Sequence, residues 1–334
     1  MSNMMKAMVV REFGGPDVFE LREIPRPEPC AEQLLVRVKA SSVNPVDSKI
    51  RSGMLAAIAP EAPMVLGCDV AGVVEAVGEG VTEFRPGDLV YGCAGGVKGY
   101  PGALAEYMAA DASLLAPMPA GLTFEEAAAL PLVCITAWEG LMDRAKVQAG
   151  QRVLVHGGTG GVGHVAVQLC FARGAEVWAT ISSPEKAAIV TRLGAVGAIN
   201  YREESVADYV HRVTEGQGFD VVFDTVGGDN VARCFEAAVV SGTVVSISTR
   251  TSADLSPLHV KGLSLHVVFM LIPMLHNRNR AYHGWILREL NALVAAGKLR
   301  PLLDDTKFSF NDAAAAHSRL ASGAATGKIV LSGF

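Results

Sequence analysis

Residues 151–186 read QRVLVHGGTGGVGHVAVQLCFARGAEVWATISSPEK. Val153 to Val155 form a short apolar run that predicts a buried strand. Gly157, Gly158, Gly160, Gly161 and Gly163 follow at once. Val165, Val167, Leu169 and Phe171 then mark an apolar helix, which Gly174 closes. Glu176 to Thr180 reads as the next strand. Strand, glycine-rich turn, helix and strand within about thirty residues is the unit that binds dinucleotides. In that reading Gly158 permits the tight turn, Gly160 lets the backbone approach a pyrophosphate, and Gly163 lets the helix pack on the strand. The helix N-terminus offers the anion unpaired N–H groups and the positive end of a dipole.

The end of the second strand says which dinucleotide. A site for NAD carries Asp or Glu there, on the ribose 2′-hydroxyl. This chain has Thr180, Ile181, Ser182 and Ser183, with no carboxylate. Ser183 and Pro184 predict the start of a helix with Lys186 in its first turn. A cation is unfavourable at a helix N-terminus unless an anion sits beside it. A 2′-phosphate is such an anion, so the pattern predicts NADPH.

At 334 residues, half of them hydrophobic and 19% charged, the chain suits two domains with sizeable cores. A net charge of −5 without a long basic run argues against nucleic acid. Cys30, Cys68, Cys93, Cys134, Cys170 and Cys234 are scattered, with no C-x-x-C pair. That excludes a zinc ribbon or small disulfide scaffold and predicts reduced thiols in the cytoplasm. The start of the chain lacks the pattern of a signal peptide. The longest apolar stretch, Leu263 to Leu275, is interrupted by His266 and Pro273 and is too short to span a bilayer. It reads as a buried strand leading into a loop.

Residues 1–120 predict short strands broken by glycine and proline, among them Met8–Val10, Phe19–Ile24 and Leu34–Val38, and hence a barrel or sandwich. GALAEYMAADASLLAPMP, residues 102–119, reads as one more hairpin. Thr123 and Glu126 have capping-box spacing ahead of a helix that Pro131 interrupts. From Val153 strands and helices alternate, with further strands at Ala198–Asn200, Asp220–Asp224, Thr243–Ser246 and Ser264–Phe269. Such alternation predicts a parallel, doubly wound sheet. Tyr282–Ala296 is amphipathic, Phe308–Phe310 reads as a strand, Asn311 as the cap of a last helix, and GKIVLSGF as a closing strand. That tail does not continue the strand–helix repeat, so it returns to the first domain or bridges the two.

These pieces resemble the zinc-free quinone oxidoreductase branch of the medium-chain dehydrogenase/reductase superfamily, which includes zeta-crystallin. SSVNPVDSKIRSG, LGCDVAGVVEAVGEGVTEFRPGDLVYG, LPLVCITAWEGL, HGGTGGVGHVAVQL, FDVVFDTVGG and ASGAATGKIVL occur in that branch's order. The resemblance implies an α/β chain with a GroES-like β-rich catalytic domain (1–130 and 271–334), a Rossmann domain for NADPH (131–270), and a homodimer paired through the Ser264–Phe269 edge. It also implies residue roles. Gly158, Gly160, Gly161, Val162 and Gly163 would hold the pyrophosphate, and Ser182, Lys186 and Tyr201 the 2′-phosphate and adenine. Asn44 and Thr136 would flank the nicotinamide, Val226, Ser246 and Ile247 its other side, and Lys328 would lie near the cofactor.

Zinc alcohol dehydrogenases use a cysteine, the histidine of a GHE motif and a third Cys or Asp. Here the first position is Asn44, GHE is replaced by Gly67–Cys68–Asp69, and the segment of the four-cysteine lobe keeps Cys93 alone. The expectation is no zinc. Without a metal to polarise a simple ketone, a conjugated carbonyl or quinone is the easier hydride acceptor. Lys49 stands where the family often has tyrosine; it either faces a substrate oxygen or points to solvent. Asp47 is an acid–base candidate or, more simply, a structural hydrogen-bonding residue of its turn. Competing readings are an enoyl-thioester or alkenal reductase, and a low-turnover NADPH-binding structural or sensor protein.

Overall fold

The computed structural model describes residues 4–334. The chain divides into two units, one made of the residues up to Leu132 with Leu271–Ala296 and Pro301–Phe334, the other of Val133–Met270 with Gly297–Arg300. The short piece Gly297–Arg300, expected with the first unit, is held in the second. The Arg300 N–H donates to Gln168 Oε1 at 2.8 Å, and Gln168 Nε2 donates to the Arg300 carbonyl at 2.9 Å.

The first unit is antiparallel. Its strands are β1 (Met4–Val10), β2 (Phe19–Pro25), β3 (Gln33–Val43), β4 (Met64–Val65), β5 (Asp69–Val77), β6 (Leu89–Cys93), β7 (Tyr107–Asp111) and β8 (Leu115–Pro117). β1 lies between β2 and β4, while β3, β5, β6 and β8 follow one another in a second sheet. The expected hairpin at 102–119 does not form. β7 pairs with β3 and β8 with β6, because a 3₁₀ turn at Ala112–Leu114 redirects the chain between them. The Thr123–Glu126 box is present, with the Glu126 N–H on Thr123 Oγ1 at 3.2 Å and the Thr123 N–H on Glu126 Oε2 at 2.8 Å.

The second unit is a six-stranded sheet of β9 (Arg152–His156), β10 (Glu176–Ile181), β11 (Gly197–Asn200), β12 (Phe219–Asp224), β13 (Ala238–Ser246) and β14 (Ser264–Val267). All its pairings are parallel, in the order β11-β10-β9-β12-β13-β14. Val153, Leu154 and Val155 of β9 are fully buried, as a central strand covered on both faces requires. The strand order reverses direction at β9, and open sheets of this kind bind ligands outside the carboxyl ends of the strands at that point.

The tail returns to the first unit, where β15 (Ile329–Ser332) pairs antiparallel with β3. Three local expectations are corrected. Phe308 makes only a single bridge to Leu331, and Phe310–Asp312 is a 3₁₀ turn whose buried Phe310 ring packs on Phe334 at 4.9 Å. The final helix, Ala313–Ala321, follows from a box in which Asp312 Oδ2 accepts the Ser309 N–H at 2.9 Å, not from a cap by Asn311. Leu263–Leu275 is not a buried strand. β14 is the half-exposed edge of the sheet, and Ile272–Leu275 is a short helix. No helix among the described residues is long and apolar enough to cross a membrane.

Candidate active site

The chemistry-bearing residues form two groups, one in each unit. In the second unit, β9 ends at His156 and the chain turns sharply at Gly157, whose φ is +72°. The tight-turn role expected of Gly158 therefore belongs to Gly157, since only a residue without Cβ takes that conformation freely. Gly158 is required for packing instead, because a Cβ there would lie 2.6 Å from the Ala179 Cβ. Donors in the turn are spent internally. The Gly157 N–H bonds Thr180 Oγ1 at 2.9 Å, the Gly158 N–H the Thr180 carbonyl at 3.0 Å, and the Gly160 N–H the Gly157 carbonyl at 2.9 Å. The helix Gly161–Ala172 then opens with the N–H groups of Gly161, Val162 and Gly163, which have no carbonyl a turn behind them. A cradle lined by glycine at a helix N-terminus fits a pyrophosphate.

Beyond β10, Lys186 Nζ donates to Ser182 Oγ at 3.1 Å, and the Tyr201 N–H bonds the Ile181 carbonyl at 3.3 Å. Ser182, Lys186 and Tyr201 thus meet where β10 and β11 end, and Lys186 makes no ion pair with a described residue. The Tyr201 ring is 47% exposed, with the Arg202 guanidinium 5.9 Å from its centroid. The donors present there fit a phosphate monoester: an ammonium, a hydroxyl and an exposed ring, while the one carboxylate of the turn, Glu185, is engaged with Ser183.

Asp224 organises the other end of the turn; its only mark in the sequence is a polar side chain after three apolar residues. It is fully buried. Its carboxylate accepts from the Val226 N–H at 3.0 Å, the Gly227 N–H at 3.0 Å, Asn230 Nδ2 at 2.8 Å and the Ser246 hydroxyl at 2.8 Å. Ser246 is therefore committed to Asp224, while Val226 is 57% exposed on the loop that Asp224 anchors and Ile247 is half-buried. Thr136 is buried in the helix Pro131–Trp138.

In the first unit, Asn44 precedes the helix Pro45–Arg51 and is 1% exposed. Both ends of its amide face inward: Nδ2 donates to Asp69 Oδ2 at 2.8 Å, and Oδ1 accepts from Lys328 Nζ. Lys328 is 3% exposed and also donates to the Val43 carbonyl at 3.3 Å, with Asp69 Oδ2 at 3.5 Å. Asp69 is completed by the Ser42 hydroxyl at 2.6 Å and the Leu132 N–H at 2.8 Å. Lys328 is thus an internal cation matched to Asp69. Lys49, on the same helix turn as Asp47, is half-buried, and its ammonium makes no ion pair with a described residue.

Asp47 lies against this cluster. Its Oδ2 accepts the Asn44 N–H at 2.9 Å and its Oδ1 the Cys68 thiol at 3.2 Å. Burial pushes the carboxyl up from 3.8 to about 6, with the Asn44 and Cys68 bonds and Lys328 opposing and Asp69 adding to the rise. The folded protein therefore holds a proton that the unfolded chain releases between those values, so this group's stabilising contribution is present below 3.8 and lost as pH rises through about 6. Asp47→Asn is expected to remove that loss. Relative to wild type the variant gains up to about 3 kcal/mol between acid and neutral pH, measured by urea unfolding at a series of pH values. A constant difference across the series would show that Asp47 does not titrate there.

Comparison with known proteins agrees with this layout. Residues 30–120 match the alcohol dehydrogenase GroES-like domain, and residues 193–331 the zinc-binding dehydrogenase family. The chain is 32% identical to the quinone oxidoreductase of Homo sapiens over 330 residues, 98% of each. It belongs to the quinone oxidoreductase family of the medium-chain dehydrogenase/reductases. It is also 37% identical over 338 residues to an NADPH-dependent alkenal/one oxidoreductase, chloroplastic, of Arabidopsis thaliana, covering 98% of this chain and 79% of the relative. An alcohol dehydrogenase superfamily protein from Novosphingobium aromaticivorans superposes with a TM-score of 0.94 at 45% identity, covering 98% of this chain and 99% of that one. As a member of the family this chain is an oxidoreductase with a GroES-like unit and a Rossmann unit. One matching family is named for zinc, but the donors here do not fit that metal. Asn44 and Cys68 are engaged with Asp69 and Asp47, and the Lys328 ammonium beside them opposes a second cation. Among the described residues no group of three or more His, Cys, Asp or Glu is placed to hold a metal.

Proposed function

We propose that this oxidoreductase is NADPH-dependent and zinc-independent and reduces quinones or α,β-unsaturated carbonyls by hydride transfer. The observation that carries the cofactor choice is the Lys186 ammonium on the Ser182 hydroxyl at 3.1 Å, at a strand end that has no carboxylate. In this reading Gly160, Gly161, Val162 and Gly163 bind the pyrophosphate, and Ser182, Lys186 and Tyr201 the 2′-phosphate end. Val226 and Ile247 bound the nicotinamide, with Ser246 acting through Asp224. The bound nicotinamide supplies the hydride. Asn44, locked by Asp69 and Lys328, keeps one amide proton for orientation, and Thr136 flanks the nicotinamide. Lys49, a half-buried cation without a counter-ion among the described residues, stabilises the negative charge that develops on the acceptor oxygen, a contribution of about 10²-fold if it acts as an oxyanion donor does. Conjugated acceptors suit such a site because their charge delocalises. The names of the relatives, quinone oxidoreductase and alkenal/one oxidoreductase, support both acceptor classes. The same reading places the protein in the cytoplasm as a homodimer joined through the β14 edge.

Fluorescence titration with NADPH and NADH tests the cofactor. Wild type is expected to bind NADPH about 10- to 100-fold more tightly, as a charge-assisted contact of about 1.5–3 kcal/mol implies, and Lys186→Ala to bind the two alike. A quinone and enone panel then tests turnover. Equal affinity for both cofactors in wild type, or no NADPH oxidation with any acceptor, would overturn the reading.

A further inference from the structure

We propose that Thr180 and His156 form a latch that positions the phosphate-binding turn for NADPH. This rests on the cofactor reading above and adds two positioning residues to it. Thr180, at the end of β10, holds two successive N–H groups of the turn: that of Gly157 through its hydroxyl at 2.9 Å and that of Gly158 through its carbonyl at 3.0 Å. One residue of the neighbouring strand thereby fixes the two peptides that lead into Gly160. The Thr180 oxygen accepts from Gly157, so its own proton needs an acceptor, and His156 Nδ1 lies 3.4 Å away.

His156 is in turn held by the end of β12. Its carbonyl accepts the Thr225 hydroxyl at 2.6 Å, and it stands opposite Asp224 in the β9–β12 register. The ring is 4% exposed, and burial holds it down at about 4, against the pull of Asp224, so it is neutral at working pH. With Nδ1 accepting, the proton sits on Nε2, and Nε2 is buried with no hydrogen-bond partner among the described residues. An apolar side chain in this place would leave no orphaned donor. The stability argument therefore runs against histidine here, while the acceptor it offers Thr180 serves the turn. The row Thr180, His156, Asp224, Ser246 crosses four adjacent strands at their carboxyl ends, so the turn and the Val226 loop are braced by one set of buried polar groups.

The test measures NADPH dissociation constants and melting temperatures for His156→Leu, His156→Asn, Thr180→Val and Thr180→Ser. Leucine removes the acceptor and asparagine restores one near the Nδ1 position; valine removes the hydroxyl and serine restores it. Thr180→Val is expected to weaken NADPH about tenfold or more, and His156→Leu about three- to tenfold with a melting temperature unchanged or raised. Asparagine and serine are expected to bind NADPH within about twofold of wild type. Should either disruptive variant fail to fold, the other pair carries the same comparison. Wild-type affinity in His156→Leu and Thr180→Val, or equal losses in His156→Asn and His156→Leu, would overturn the latch and leave the cofactor reading standing. Absence of NADPH binding by wild type would remove both.

Discussion

Lys328→Met is expected to destabilise the first unit by about 3–5 kcal/mol, read as a lowered urea midpoint, because it leaves a buried carboxylate without its cation. Asp69 is fully buried and Lys328 is 3% exposed. With the ammonium gone, Asp69 keeps the Ser42 and Asn44 bonds at 2.6 and 2.8 Å, but these neutral donors do not replace a charge. Asn44 Oδ1 and the Val43 carbonyl also lose their donor. Asp47 responds in a predictable direction. Lys328 now lowers its pKa, so the variant's carboxyl titrates above about 6 and the alkaline side of the stability profile drops further. The double variant Lys328→Met/Asp69→Asn removes both charges and is expected to recover most of the loss, since a buried pair replaced as a pair is often close to neutral. A single variant within about 1 kcal/mol of wild type, or a double variant no better than the single, would show that the pair carries no such role.

The contrast between the two groups of residues explains what the sequence could disclose. Ser182 and Lys186 are four residues apart on one strand-to-helix turn, so spacing alone brings ammonium to hydroxyl. The parallel sheet was equally legible, because each strand is an apolar run followed by a helix of its own. Lys328 and Asn44 are 284 residues apart and meet only because β15 pairs with β3. No local pattern announces that pairing, and the resemblance to a family supplied Lys328 without its partners. The errors have the same origin. Tyr107–Asp111 and Leu115–Pro117 have the texture of a hairpin, yet each finds a better partner in a strand distant in sequence. Phe308–Phe310 alternates like a strand but has room for one bridge before Ser309 and Asp312 tighten the backbone. His156 and Asp224 carried one available signal, a polar residue closing an apolar run; Asp224 holds the loop after β12, and His156 is proposed to brace the glycine turn.

Gly163→Ala and Gly160→Ala are expected to separate folding from cofactor binding at that turn. A Cβ on Gly163 would lie 2.0 Å from the Gly157 carbonyl oxygen, 2.8 Å from its carbon and 3.1 Å from the Gly158 Cα. All three are backbone atoms, so no rotamer relieves the clash. Gly157 cannot retreat, since its φ of +72° and its bond to Thr180 at 2.9 Å fix that peptide. The helix Gly161–Ala172 must therefore move off β9, carrying the N–H groups of its first turn away from the proposed pyrophosphate site. Losing one or two such contacts, at about 1.5–3 kcal/mol each, predicts a fall in NADPH affinity of about 10²-fold or more, together with a lower melting temperature. Gly160 is different. A Cβ there meets only the Gly157 carbonyl oxygen, at 3.2 Å, and its backbone is extended, so the free protein tolerates alanine. In the proposed binding mode the added methyl would instead meet the pyrophosphate. Gly160→Ala is expected to lose NADPH affinity comparably while melting close to wild type. If Gly160→Ala bound NADPH as wild type does, the phosphates would have to lie elsewhere, and the glycines of this turn would serve only the packing of helix on strand.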